Sequence, residues 1–242
     1  MKQKQQRPKQ KPKQRIAIVD YGMGNIHSVK TAVQAVQQDD ALISCTREIQ
    51  ALQEADKLIF PGVGAMRDTM EPLQQQGLAS ALPALLLSKP SLAICVGLQA
   101  LPEFSEENQG INCLALLPAR VRRFALPAMQ KAEQNRTQKG EQANTKAQPH
   151  FKIPHIGWNR VKQSVDHPLW HGIPDESYFY FVHSYYLDLA DQNLLAGTCD
   201  YGINFPAAVC KGTLFATQFH PEKSDQRGLQ LIRNFLRWDG RL

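Results

Sequence analysis

The segment Ser91-Leu92-Ala93-Ile94-Cys95-Val96-Gly97-Leu98-Gln99 places a cysteine where a buried strand gives way to a helical pattern. Small residues stand two before it, Ala93, and two after it, Gly97. That is the layout of a nucleophile elbow, in which a sharp strand-to-helix turn projects a reactive side chain and small neighbours avoid a clash. The helix N-terminus would then favour thiolate through its dipole and free amide donors. The same residues would also suit a buried cysteine that merely closes a core strand.

A cysteine nucleophile needs a base, and Thr217-Gln218-Phe219-His220-Pro221-Glu222-Lys223-Ser224 offers one directly after another apolar run. His220 would take and return the proton, while Glu222 accepts a hydrogen bond from its other ring nitrogen and fixes the tautomer. A surface histidine beside a solvated glutamate is the competing explanation. A third feature, Phe60-Pro61-Gly62-Val63-Gly64-Ala65, puts glycines at the end of a further apolar run. It is either an ordinary turn or a loop whose backbone approaches a ligand. If it lies beside Cys95, its amides at Gly62 and Val63, with that of Val96, would form an oxyanion hole.

The elements that must position these groups are legible as short apolar runs: Ile16 to Val19, Ala41 to Cys45, Leu58 to Phe60 and Leu92 to Cys95. Helical patterns alternate with them, as in Ile26, Val29, Val33 and Val36. This alternation implies parallel strands joined by crossover helices. Ligands of such sheets sit at the carboxyl ends of the strands, where both the elbow and the glycine loop fall. Val121 to Phe124, Tyr178 to Val182, Leu194 to Thr198, Ala207 to Val209 and Leu214 to Phe219 follow with few helices between them, which predicts antiparallel additions at one end. A closing helix is predicted from about Gln226 to Trp238. The fold class is α/β, a mostly parallel central sheet flanked by helices.

Composition fits this picture: 242 residues, 43% hydrophobic and 21% charged, describe a globular chain. The net charge of +6 is misleading, because seven basic side chains and no acid fall in residues 1–15, leaving the rest at −1. Residues 1–14 therefore read as a disordered basic tail, and no nucleic-acid partner is expected of the folded part. Residues 15–242 read as a single domain, with a polar insertion at about 128–150 that lacks large apolar side chains after Met129. Five cysteines without a CxxC pair argue against a disulfide framework or a zinc site. No apolar run is long enough for a membrane span and no signal-peptide core follows the basic start, so a cytoplasmic location is expected.

Taken together, the segments resemble the class I glutamine amidotransferases, a flavodoxin-like family with a Cys-His-Glu triad, and among them the glutaminase subunits of imidazole glycerol phosphate synthase. The resemblance rests on Val19-Asp20-Tyr21-Gly22-Met23-Gly24-Asn25 with Ser28, Pro61-Gly62-Val63-Gly64, Gly157-Trp158-Asn159, Phe181-Val182-His183-Ser184-Tyr185-Tyr186 and His220-Pro221-Glu222-Lys223-Ser224. It implies Cys95 as nucleophile, His220 as base, Glu222 as its orienter and Val63 as the donor completing the oxyanion hole. It further implies that Gln99, Glu107, Ser184 and Tyr185 bind the substrate L-glutamine, and that Asn25, Trp158, Lys223 and Ser224 face a partner. That partner is a separate (β/α)8 barrel cyclase forming a heterodimer, which raises a weak glutaminase activity on binding. No metal or organic cofactor is implied.

Some residues keep a plainer alternative. Glu107 ends the acidic run Glu103, Glu106, Glu107 and would also suit a solvated helix end. His183 reads better as a packed or supporting histidine than as a catalyst, and Trp158, Tyr185 and Tyr186 would serve equally as core aromatics. Ala93 and Pro102 depart from the family pattern, and the proline would stop or kink the helix after the elbow.

Overall fold

The computed structural model describes residues 14–37, 41–125 and 151–242. The tail over residues 1–13 and the insertion expected at 128–150 lie outside the described residues. The first half alternates as expected. Strand β1 (Arg15–Val19), helix α1 (Ile26–Val36), β2 (Leu42–Thr46), α2 (Ile49–Glu54) and β3 (Lys57–Gly62) lead through α3 (Met66–Gln75) and α4 (Leu78–Ser88) to β4 (Ser91–Cys95). β3 and β4 are buried along their whole length, which is why they read as unbroken apolar runs.

After β4 comes a single helical turn, α5 (Val96–Gln99), then β5 (Pro102–Ser105), β6 (Ile111–Asn112) and β7 (Leu117–Arg123). The helix expected beyond the elbow is thus cut short, and the proline that cannot donate to it opens a strand instead. The remaining elements are β8 (His155–Gln163), β9 (Ser177–His183), β10 (Tyr185–Leu189), β11 (Leu195–Asp200), β12 (Asn204–Lys211), β13 (Leu214–Thr217) and the closing helix α6 (Asp225–Arg237).

Among the described residues the strands form a sheet of order β2-β1-β3-β4-β13-β12-β11-β8-β9 and a second of order β10-β7-β5-β6. β2, β1, β3, β4 and β13 run parallel, while β12, β11, β8 and β9 extend the sheet antiparallel. This is the α/β fold with antiparallel additions that the sequence predicts; the separate four-stranded sheet was not foreseen. Helix α1 packs with α6, and α2, α3 and α4 pack together, so helices flank the parallel strands. No helix among the described residues is long and apolar enough to cross a membrane.

Two strand ends meet in register where chemistry is expected: Gly62 of β3 pairs with Cys95 of β4. Helix α6 holds the neighbouring turn, because Gly228 packs so closely on Pro221 that an added Cβ would collide with the Pro221 carbonyl oxygen and come within 2.8 Å of Ser224 Cβ. An alanine inside a helix ordinarily stabilises relative to glycine by about 1 kcal/mol. Here Gly228→Ala should destabilise by roughly 1–3 kcal/mol, since overpacking must displace the His220–Ser224 turn; chemical denaturation of the variant against the parent chain measures the sign.

Candidate active site

Cys95 occupies a backbone conformation of φ 54°, ψ −108°, which a non-glycine residue adopts only where its surroundings enforce it. The enforcement is visible in Gly97: any side chain there would strike the carbonyl oxygen of Phe60 on β3. A Cβ on Gly62 would likewise fall 2.7 Å from the Gly97 nitrogen. Ala93 is buried within β4, between Phe60 and Ala216 in register, so its methyl is accommodated without loss of the elbow. The glycine loop is tied from another side, where the buried Tyr21 hydroxyl donates to the Pro61 carbonyl at 3.2 Å.

His220 follows β13, the strand beside β4. Its Nδ1 lies 2.8 Å from Glu222 Oε1, and both side chains are only 1% exposed. Burial alone would lower the His220 pKa, but the charge and hydrogen bond of Cys95 and the contacts of Glu222 outweigh it and raise the imidazole to about 10. The ring therefore carries a proton at neutral pH. Its Nε2 is shielded from solvent. Asn25 donates to the same Glu222 Oε1 at 3.2 Å, so the carboxylate oxygen that orients His220 is itself held by the loop after β1.

A cavity of about 520 Å3 opens over these groups, within the range of small-molecule sites. Cys95, Val96 and Gln99 line it from the elbow, Val63 and Gly64 from the glycine loop, and His220 from the β13 side. Glu107, His183, Ser184 and Tyr185 complete the wall. Of the residues expected at the oxyanion hole, Val63 and Val96 border the cavity and Gly62 supports them from the end of β3.

The four expected substrate contacts are all brought together, with differences in detail. Glu107 is not a solvated helix end: it is half-buried and accepts a hydrogen bond from the Met66 amide at 2.9 Å, fastening itself to the start of α3. Burial raises its pKa and that amide opposes the rise. Gln99 is 4% exposed, and its Nε2 donates to the Tyr185 carbonyl at 2.8 Å and to Gln218 Oε1 at 2.9 Å. Ser184 and Tyr185 stand where the chain leaves β9 for β10, passing from one sheet to the other.

The residues expected to face a partner divide. Lys223 borders the cavity and its Nζ lies 6.0 Å from the Tyr180 ring, and Trp158, 52% exposed, packs edge-on to the same ring. Both are at the surface, Lys223 at the edge of the cavity and Trp158 linked to it through the Tyr180 ring. Asn25 is half-buried and turned toward Glu222. Ser224 corrects the expectation: it is buried, its hydroxyl donating to the His220 carbonyl at 2.6 Å and accepting from the Tyr180 amide at 2.9 Å. It braces the turn rather than facing outward.

Reasoning from the sequence missed Gln218, which is fully buried with Nε2 3.8 Å from Cys95 Sγ. Its signal was a long polar side chain inside the buried run Leu214 to Phe219, two residues before His220.

The family model for class I glutamine amidotransferases matches residues 17–238, and the chain belongs to that family. Among its relatives, the protein of Pseudomonas syringae pv. syringae (strain B728a) named imidazole glycerol phosphate synthase subunit HisH is 46% identical over 228 residues, 94% of this chain and 99% of that one. The HisH subunit of Methylococcus capsulatus (strain Bath) is 47% identical, over 93% of this chain and 96% of its own. Among solved structures, a glutamine amidotransferase aligns with a TM-score of 0.63 at 16% identity, covering 92% of this chain and 97% of that one. Another, from Thermotoga maritima, gives 0.53 at 15%, covering 94% and 84%, a likeness of fold alone.

The geometry makes one electrostatic prediction. Cys95→Ser removes two of the contributions that raise the His220 pKa and leaves the opposing burial in place, so the imidazole should titrate at lower pH. NMR titration of the ring resonances reads the midpoint directly; an unchanged midpoint would mean that sulfur and ring do not interact.

Proposed function

We propose that this chain is the glutaminase subunit of an imidazole glycerol phosphate synthase, hydrolysing L-glutamine and passing the ammonia to a cyclase in histidine biosynthesis. The observation that carries the reading is that a positive-φ cysteine and His220, buried and paired with Glu222, border one cavity. The identity of 46% with a HisH subunit across nearly both chains supports the narrower assignment.

In this reading the Cys95 sulfur attacks the amide carbon of glutamine, and the oxyanion is held by the amides of Val63 and Val96 above Gly62. His220, protonated at neutral pH, delivers its proton to the leaving nitrogen, which departs as ammonia. A γ-glutamyl thioester remains. His220, now neutral, takes a proton from water, which attacks the thioester and frees glutamate and the sulfur. Glu222 holds the ring by Nδ1 throughout, and Asn25 holds Glu222. Gln99, Glu107, Ser184 and Tyr185 bind the amino-acid end of the substrate, within the cavity they line.

Ammonia in neutral water is mostly ammonium, which is not nucleophilic, so release toward a docked synthase preserves its reactivity. The exposed Trp158 and Lys223 beside the cavity suit such a docking face, one an aromatic anchor and the other a charge. The partner is the (β/α)8 cyclase, on a separate polypeptide, and its binding raises the glutaminase rate by adjusting the loop at Val63.

Glutamate release measured with and without the cyclase and its nucleotide substrate tests the whole reading; stimulation by the partner is expected, and none would reject it. Cys95→Ala should abolish glutamine-dependent synthesis while the complex still accepts ammonium salts. His220→Ala should lower turnover by roughly 10²–10⁴-fold, and Glu222→Gln by less, because the orienter is less essential than the base. Equal and complete loss in both folded variants would count against those roles. Trp158→Ala should weaken binding of the cyclase by about tenfold, measured by titration calorimetry.

A further inference from the structure

Gln99 lies against the cavity with both amide hydrogens spent inside the protein, on the Tyr185 carbonyl and on Gln218 Oε1. Its own oxygen is the group left over. Turning the amide over would set that oxygen against two other oxygens, so the orientation is determined as long as those two acceptors stay in place.

Each acceptor is itself fixed. Gln218 turns its nitrogen toward Cys95 Sγ at 3.8 Å and hence its oxygen toward Gln99; reversing it would bring two amide nitrogens face to face. The Tyr185 carbonyl is contacted by His183 Nδ1 at 2.8 Å, and since a carbonyl only accepts, Nδ1 carries the hydrogen. Burial lowers the His183 pKa to about 3 and that of His155 to about 4, so both rings are neutral at physiological pH. His183 Nε2 is then an acceptor, and His155 Nδ1, 2.9 Å away, must be its donor. His155 Nε2 in turn accepts from Asn159 Nδ2 at 3.3 Å. The order of donors and acceptors is determined from β8 to the elbow.

We propose that Gln218 and the His155–His183 pair are positioning residues that force Gln99 to present a hydrogen-bond acceptor to the substrate, and so select the α-ammonium group of glutamine. With the carboxylate of Glu107 also in the cavity wall, the acceptors gather where the substrate's only cation would lie. This rests on the glutaminase reading and on Gln99 touching the substrate. None of these positioning groups needs to touch substrate itself.

The test compares L-glutamine with its desamino analogue, 4-carbamoylbutanoate, by ammonia release from the complex with the cyclase. Gln218→Met keeps the volume but removes the acceptor for Gln99, and should narrow the preference in kcat/KM for glutamine by about tenfold, chiefly through KM. Gln218→Glu keeps an oxygen acceptor in either protonation state and should retain the preference. His155→Phe preserves the ring stacking on Tyr201 and Phe181 but not the donor, and should narrow the preference by about threefold. A general loss of structure would lower both substrates alike, so equal losses in Gln218→Met overturn the proposal. If that variant does not fold, His155→Phe decides by the same criterion. Loss of preference in Gln99→Ala but not in Gln218→Met overturns the proposal and leaves the role of Gln99 intact. Retention in both overturns that role and the proposal with it.

Discussion

The close approach of two parallel strand ends governs the rest of this molecule. β3 and β4 run side by side with Gly62 opposite Cys95, and the Phe60 carbonyl occupies the space that a side chain on residue 97 would need. A turn this tight at Cys95 stores roughly 1–3 kcal/mol of backbone strain, which the buried strands on either side sustain. What it achieves is positional: Cys95 and Val96 of the elbow line one cavity with Val63 and Gly64 of the glycine loop. A looser junction would keep the fold and lose the site.

The imidazole reaches the same place from a different direction. β13 joins β4 in parallel, and the chain leaving it carries Gln218, whose Nε2 lies 3.8 Å from Cys95 Sγ, and then His220. His220 is then clasped by Glu222, by the Ser224 hydroxyl on its carbonyl, and by its own amide bonded to the Tyr180 carbonyl at 2.9 Å. A buried, protonated ring is unusual enough to need such support, because burial by itself disfavours its charge. In the proposed mechanism, proton delivery to a leaving nitrogen depends on α6 and β9 as much as on the residues that move the proton.

The parts of this arrangement that the sequence made legible are those where local pattern and burial coincide. Beyond their first residues, Arg15, Lys57 and Ser91, strands β1, β3 and β4 are apolar because both faces are covered, so their runs stood out, and the elbow and glycine loop could be placed at their ends. β8 was invisible for the opposite reason: its inward positions include His155 and Asn159, polar groups satisfied by one another, while Ile156 and Trp158 point outward. The helix after Cys95 is a single turn, and Pro102, which the sequence marks as its stop, opens the next strand. Burial of Ser224 was hidden because its two partners come from different elements, one of them 44 residues away.

The same contrast explains why the proposed triad is easier to read than its surroundings. Cys95, His220 and Glu222 announce themselves by residue type and local spacing, since reactivity demands particular side chains at a turn. The groups that aim them are amides and neutral imidazoles whose roles depend on which atom donates, and that is set by partners distant in the chain. Gln218 meets a residue 119 positions away and His155 one 28 away. Such bonds contribute about 1 kcal/mol each to stability, too little to impose a visible pattern, yet a single reversed amide would turn an acceptor into a donor at the substrate. Selectivity here is consequently a property of the network's direction, which tertiary structure fixes and composition does not.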